Sequence, residues 1–274
     1  MIPELIGHEN VNHVAFTGSV SNGALVEQAV AGRFVSVGLE LGGKDAAYVR
    51  ADANIDFAVE NLADGAFYNS GQSCCSVERI YVDHRKYADF LDAFVEKVTQ
   101  YSLGNPLSSG TNLGPVVSAD SANRIRNDVA LAVTAGARAL INEGSFSAAR
   151  SGTAYVGPQV LVDVDHTMAV MTEETFGPVV GIMSVSGDSE AIKLINDSRF
   201  GLTASLWTED EDAATRLSQE IDTGTVYMNR CDSLEPSLAW TGVKQSGRGV
   251  TLSPLGYDAL TRPKSINFRT LTAQ

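Results

Sequence analysis

Two adjacent cysteines, Cys74 and Cys75, stand in Gly71-Gln72-Ser73-Cys74-Cys75-Ser76, and 34 positions before Cys74 a carboxylate, Glu40, stands in Leu39-Glu40-Leu41-Gly42-Gly43-Lys44. A thiol can attack an electrophilic carbon and later leave it, and a carboxylate can take a proton from water or from a thiol. Together they supply a candidate nucleophile and a candidate general base. The reactive form of cysteine is the thiolate, whose pKa starts near ~8.5. Gly71 and Gln72 leave Cys74 in a tight turn, where backbone N–H groups can face both the sulfur and an oxyanion formed on it. Taken singly, each residue has a plainer reading: a free cysteine is ordinarily a small buried apolar side chain, and a lone glutamate is solvated or ion-paired. The pair Gly42-Gly43 beside Glu40 favours function, because glycines permit close approach of backbone to a ligand.

These residues need elements to position them. The turn at Cys74 lies between a helix-like run, Asn54 to Asn69, and a strand-like one, Val77 to Val82. Upstream, Asn12 to Phe16 reads as a strand, Gly18 to Ala31 as a helix and Phe34 to Leu39 as a second strand. That order is half of a nucleotide-binding unit, with Gly18-Ser19 where helix N–H groups can receive a phosphate. The full glycine fingerprint is absent, and Gly18 with Gly23 would by themselves mark an ordinary turn. Downstream, Tyr87, Phe90, Leu91, Phe94, Val95 and Val98 form the apolar face of a helix, and Ser118 to Ala135 is another helix candidate. Arg138 to Ile141, Pro178 to Val185, Ala204 to Trp207 and Thr225 to Met228 read as strands, with helices at Ser189 to Asn196 and Asp210 to Glu220. This alternation predicts an α/β fold on a mostly parallel sheet. Gly144 to Gly152 reads as a surface loop, and Ser265 to Leu271 as a terminal strand with a free edge that invites pairing with another subunit.

The 274 residues suffice for a substantial core, and 44% hydrophobic with 19% charged residues is ordinary for a globular protein. A net charge of −13 disfavours nucleic acid and anionic membrane as partners. No apolar run reaches the length of a membrane span, and Met1-Ile2-Pro3-Glu4-Leu5 lacks the features of a signal peptide, so the expected location is the cytoplasm. Three cysteines, two of them adjacent, make no disulfide framework, and no Cys-x-x-Cys or His cluster offers a metal site.

Gly71-Gln72-Ser73-Cys74 and Leu39-Glu40-Leu41-Gly42-Gly43-Lys44 resemble the nucleophile and base motifs of the aldehyde dehydrogenase superfamily at the separation found there. Phe16-Thr17-Gly18-Ser19, Glu173-Glu174-Thr175-Phe176-Gly177-Pro178, Gly201-Leu202-Thr203-Ala204, Gly224-Thr225-Val226-Tyr227-Met228-Asn229 and Gly242-Val243-Lys244-Gln245-Ser246-Gly247-Arg248-Gly249 follow in the family's order. The resemblance implies an oxidoreductase in which Cys74 attacks an aldehyde, the resulting thiohemiacetal gives hydride to NAD or NADP, and water activated by Glu40 hydrolyses the thioester to an acid. It further implies that Gly18 and Ser19 contact the pyrophosphate, that Glu174 holds a ribose, and that Phe176 and Gly42 lie beside the cofactor. It implies homo-oligomers joined through the terminal strand. Cys75 reads as a packing neighbour and Cys231 as an ordinary loop cysteine.

The resemblance covers the carboxyl-terminal portion of the family's pattern. Family members are nearly twice as long, and no Pro-Trp-Asn segment, which completes their oxyanion hole, is found here. We therefore expect residues 1–43 to be a remnant of a Rossmann-like dinucleotide-binding domain, 44–250 the catalytic domain and 251–274 a segment carrying the oligomerisation strand. Weak NAD binding and low turnover are expected of the chain as it stands. Ala239-Trp240-Thr241-Gly242 departs from the family's Pro-aromatic-Gly-Gly turn, with Trp240 offering an aromatic wall to a substrate pocket. Glu40 argues against the CoA-acylating relatives, which often lack that base. Two other readings stay open: a non-redox assembly partner of a full-length relative, and a thiol esterase in which Cys74 and Glu40 act without a cofactor.

Overall fold

A computed structural model describes residues 2–271. The chain opens with α1 (Ile2–Ile6), β1 (His13–Thr17), α2 (Val20–Val30) and β2 (Ser36–Glu40). β1 and β2 pair in parallel, with Thr17 opposite Glu40, so the half-unit read from the sequence is present. Ser19 starts α2 because its extended backbone lets Oγ accept the Asn22 N–H at 3.3 Å. Val26, Leu39 and Leu41 bury the helix against the strand in a small core of their own.

The larger body follows: β3 (Asp45–Val49), α3 (Ile55–Phe67), β4 (Val77–Asp83), α4 (Tyr87–Thr99), α5 (Ala119–Thr134) and β5 (Arg138–Ala139). After these come β6 (Gln159–Val162), α6 (Ala169–Thr172), β7 (Val179–Val185), α7 (Asp188–Asn196), β8 (Phe200–Gly201), β9 (Thr203–Trp207), α8 (Glu211–Ser218) and β10 (Thr225–Met228). Seven strands form one sheet in the order β10-β9-β3-β4-β7-β6-β5, parallel throughout except where β5 meets β6. Helices cover both faces. Tyr48 and Tyr81 point to a core completed by Ile125, Ile192 and Leu217, whereas Val49, Ile80 and Val82 point to one completed by Leu62, Phe90 and Phe94.

β3 and β6 were not anticipated from the sequence. Every residue of both is buried, as expected of parallel strands covered on two sides, so neither shows the polar alternation that marks a half-exposed strand. Helix ends differ from the sequence-based expectation by a residue or two. Asn54 stands outside α3 as its cap, accepting the Phe57 N–H at 3.0 Å, and the helix stops at Phe67 because Asn69 and Ser70 turn left-handed.

β11 (Val243–Lys244), β12 (Gly247–Arg248) and α9 (Ser253–Ala259) complete the chain. β12 lies antiparallel to β2, with Gly247 opposite Glu40, so the amino-terminal half-unit is a three-stranded sheet closed by a strand from the far end of the chain. The expected terminal strand at Ser265 to Leu271 is a correction: these residues belong to no sheet and are exposed throughout. An extended segment becomes a strand only when a neighbouring backbone takes its N–H and C=O groups, and among the described residues none pairs with it. The expected loop at Gly144 to Gly152 is also less superficial than read, since it carries a buried Phe146.

Candidate active site

Cys74 sits at the entrance to β4. The Ser76 N–H donates to the Ser73 carbonyl at 3.2 Å, so Cys74 and Cys75 occupy the two central positions of a tight turn. The approach to this turn is strained: Asn69, Ser70 and Gly71 all have left-handed backbone, at φ 50°, 59° and 68°. Each non-glycine residue of this kind costs on the order of 1 kcal/mol. Three side-chain contacts hold the segment. The Ser70 hydroxyl donates to the Gly114 carbonyl at 2.8 Å, and the Gln72 amide donates to the carbonyls of Asn69 at 2.9 Å and Pro115 at 3.3 Å.

Cys74 is partly exposed and packs with Cys75, Leu202, Trp240 and Leu252. Its thiol is held below the usual range by hydrogen bonding with the Cys75 thiol and, less strongly, by its own backbone N–H. Burial and the charges of Asp232 and Glu174 oppose this. The Cys75 thiol is pushed up, first by the same hydrogen bond with Cys74 and then by burial and by Asp232 and Asp45. Cys231 lies apart, packed on α3 at Gly65, and burial pushes its thiol up to about 12. The three thiols thus differ in environment: that of Cys74 favours the anion, and those of Cys75 and Cys231 oppose it.

Glu40 ends β2 and accepts the Thr251 hydroxyl at 2.6 Å. It lines a cavity of about 1000 Å³ whose walls include Phe16, Val37, Leu252, Tyr257 and Leu260. Glu40 is connected to Cys74 through the strand-like bridge between Trp240 and Thr251, because Trp240 packs on the cysteines while Thr251 holds the carboxylate. Trp240 corrects the sequence expectation: at 6% exposed it is a packing residue under the cysteine turn and not an open pocket wall.

The other candidates divide into two groups. Gly18 and Ser19 form the turn between β1 and α2, with the Gly18 N–H donating to the Glu40 carbonyl at 3.1 Å and Ser19 capping the helix. Gly42 and Glu174 lie beside the cysteine turn, and Phe176 follows two positions after Glu174. The Gly43 N–H donates to Glu174 Oε1 at 3.1 Å, and a side chain added at Gly42 would strike the same carboxylate at 2.3 Å. One added at Gly43 would strike the Cys74 carbonyl at 2.3 Å. These glycines let two backbones and a carboxylate meet where any side chain would intervene. Burial pushes the Glu174 carboxyl up to about 7, against the opposing effect of the Gly43 N–H. Phe176 has left-handed backbone at φ 49° and is 39% exposed.

Sequence reasoning missed the residues that hold this second group. Lys44 and Glu78 form a fully buried ion pair. The Glu78 carboxylate also accepts the N–H groups of Thr175 at 2.9 Å and Phe176 at 3.0 Å, and Lys44 donates to the Thr175 hydroxyl at 3.1 Å. Burial lowers the Lys44 ammonium, with Glu78 opposing. Asp45 is buried beside Gly43 and accepts the Thr203 N–H and hydroxyl, while burial pushes its carboxyl well up. A charged Glu78-Arg79 pair inside an otherwise apolar strand was the available signal for Glu78; nothing in the sequence singled out Asp232.

Whether a dinucleotide fits can be judged from the two groups. The 11-residue α2 has no acidic residue in its first turn and follows directly on the exposed Ser19, which suits a phosphate. Glu174 accepts the Gly43 N–H through Oε1, and its Oε2 is the acceptor left for a sugar hydroxyl. Among the described residues no helix is long and apolar enough to cross a membrane.

Residues 2–266 match the family model described as the aldehyde dehydrogenase family. The chain is 37% identical over 264 residues to geranial dehydrogenase of Castellaniella defragrans, covering 96% of this chain and 54% of that one. Its structure resembles that of betaine aldehyde dehydrogenase from Staphylococcus aureus in complex with NAD+, at a TM-score of 0.87 and 30% identity, covering 93% of this chain and 51% of the other. It also resembles NADP-dependent glyceraldehyde-3-phosphate dehydrogenase from Bacillus halodurans complexed with NADP, at a TM-score of 0.87 and 32% identity, covering 95% and 53%. The chain spans about half the length of the curated relatives it matches.

Proposed function

The chain belongs to the aldehyde dehydrogenase family, and on that premise we propose that it oxidises an aldehyde to a carboxylic acid with NAD or NADP, using Cys74 as nucleophile and Glu40 as base. The observation that carries this reading is the contrast between the thiols: Cys74 is partly exposed in the turn and its thiol is lowered, Cys75 is buried and its thiol raised, and Cys231, though partly exposed, is raised by burial. Family relatives in complex with NAD+ and NADP support the cofactor class.

In this reading the Cys74 sulfur adds to the aldehyde carbon, and the turn's backbone N–H receives the oxyanion. Gly18 and Ser19 would hold the pyrophosphate, and Glu174, Gly42 and Phe176 the nicotinamide end. When bound, the nicotinamide supplies a hydride acceptor. The acyl group left on Cys74 is a thioester, and Glu40 takes a proton from the water that hydrolyses it. The Thr251 hydroxyl, now bonded to Glu40 at 2.6 Å, fixes the carboxylate for that step.

Leu25 and Phe34 of the small amino-terminal body stand 60% and 98% exposed, which supports weak dinucleotide binding by the chain as it stands. Self-association through residues 265–271 is part of the same proposal, supported by the exposure of Ile266, Phe268 and Leu271.

The test is acid and NAD(P)H formation from a panel of aldehydes, by the parent and by Cys74→Ala. Equal turnover by the two would overturn the assignment, as would rapid acyl-CoA formation for the hydrolytic route.

A further inference from the structure

Asp232 has no part in the steps above, yet it touches the cysteine turn more closely than any of the residues that do. It lies in the loop after β10 with left-handed backbone at φ 42°. Its Oδ1 accepts the Ser73 hydroxyl at 2.8 Å and the Cys75 thiol at 2.9 Å. Those donors flank Cys74 on either side in the chain. Cys75 is 5% exposed and packed against Leu202 and Trp240, so its S–H has little access to water in place of the carboxylate.

We propose that Asp232 is a positioning residue that decides which of the two adjacent thiols reacts: by accepting from Ser73 and Cys75 it pins both flanks of the turn and keeps Cys75 as a hydrogen-bond donor, leaving Cys74 to attack. The proposal rests on the reading of Cys74 as nucleophile and adds the reason its neighbour is not one.

The physical argument is a cost of charge. Ionising Cys75 would remove the proton it shares with Asp232 and set a thiolate 2.9 Å from a carboxylate. The Cys75 S–H is a single proton and goes to Asp232, so ionising Cys74 instead takes no donor from that carboxylate. The other titratable groups facing the pair are Asp45 against both thiols, Glu174 against Cys74 and Tyr227 against Cys75, none of them a cation, so none supplies the discrimination by attracting an anion. Asp232 is the acidic group that hydrogen-bonds to one thiol and not the other.

The experiment is a pH titration of thiolate ultraviolet absorbance on the whole chain, without aldehyde or cofactor, so that its outcome is separate from whether the chain is a dehydrogenase. Below about pH 9, before tyrosines ionise, the parent is expected to show one thiolate, lost in Cys74→Ser and kept in Cys75→Ser. Cys231, held up to about 12, stays silent in this window. In the Cys74→Ser background, Asp232→Asn is expected to speed alkylation of Cys75 at about pH 8, read by intact mass, because the carboxylate that holds its proton is gone. An unchanged rate overturns the proposal. Should Asp232→Asn fail to fold, Cys74→Ser decides alone: with Asp232 in place it must show no thiolate below about pH 9, and one assigned to Cys75 overturns the proposal equally.

Discussion

Glu174 and Gly43 lie 131 positions apart in the chain and meet at a single hydrogen bond of 3.1 Å, the Gly43 N–H donating to Glu174 Oε1. A side chain added at Gly43 would strike the Cys74 carbonyl, so one glycine lies between the Glu174 carboxylate and the cysteine turn. Changes at either end should therefore be felt at the other.

A pH dependence follows from Glu174. Its folded pKa of about 7 lies above the ordinary 4.5. Between those values the native chain holds a proton that the unfolded chain has released, so stability falls as pH rises through the window and levels off above about pH 7. The loss is about 3 kcal/mol at most. Glu174→Gln, which resembles the protonated side chain, should match the parent at low pH and exceed it at pH 8, as read by urea unfolding at a series of pH values. A constant difference across the series would exclude Glu174 as the source.

The two glycines should respond differently to the same substitution. In Gly42→Ala the added methyl meets the end of the Glu174 side chain, which can swing away, so stability should change little. In Gly43→Ala it meets the Cys74 backbone, which cannot move without moving the turn. A loss of about 1–3 kcal/mol and slower alkylation of Cys74 are expected, measured by urea unfolding and by mass spectrometry of the labelled chain.

Glu78→Ala removes one partner of a buried ion pair together with the acceptor for two backbone N–H groups. It should destabilise by about 3–5 kcal/mol, more than Glu78→Ala combined with Lys44→Met, in which no uncompensated charge stays buried. Chemical unfolding of the two variants tests the order, and the reverse order would exclude the pair as the anchor of the Thr175-Phe176 segment.

Glu40→Gln should slow hydrolysis of the acyl group more than its formation. With an activated ester such as nitrophenyl acetate, which needs no cofactor, the variant is expected to accumulate an acetyl adduct on Cys74 that the parent clears. Intact-mass measurement after a quench reads the adduct, and equal clearance in both chains would remove Glu40 from the base role.

Self-association through residues 265–271 predicts a dimer or larger assembly in light scattering, shifted toward monomer by Ile266→Asp with Phe268→Asp. Both side chains are exposed within the chain, so their loss should leave its own unfolding midpoint unchanged.

The sequence alone determined the chemistry-bearing segments and most of the elements between them. Local signals sufficed there: hydrophobic periodicity marked α4, and the helical runs read from Gly18 and Asn54 begin within a residue or two of where the fold starts α2 and α3, capped by Ser19 and Asn54. β3 and β6 stayed hidden because complete burial erases alternation. The terminal segment 265–271 forms no strand within the chain because β-character belongs to a pair of backbones and not to one. Tertiary structure decided the environment of each reactive group, since pairings such as Gly43 with Glu174, Lys44 with Glu78 and Cys75 with Asp232 join residues distant in the chain. Thiol and carboxylate identities were written in the sequence, but which thiol ionises depends on burial and on neighbours within hydrogen-bond distance, and only the folded chain sets those.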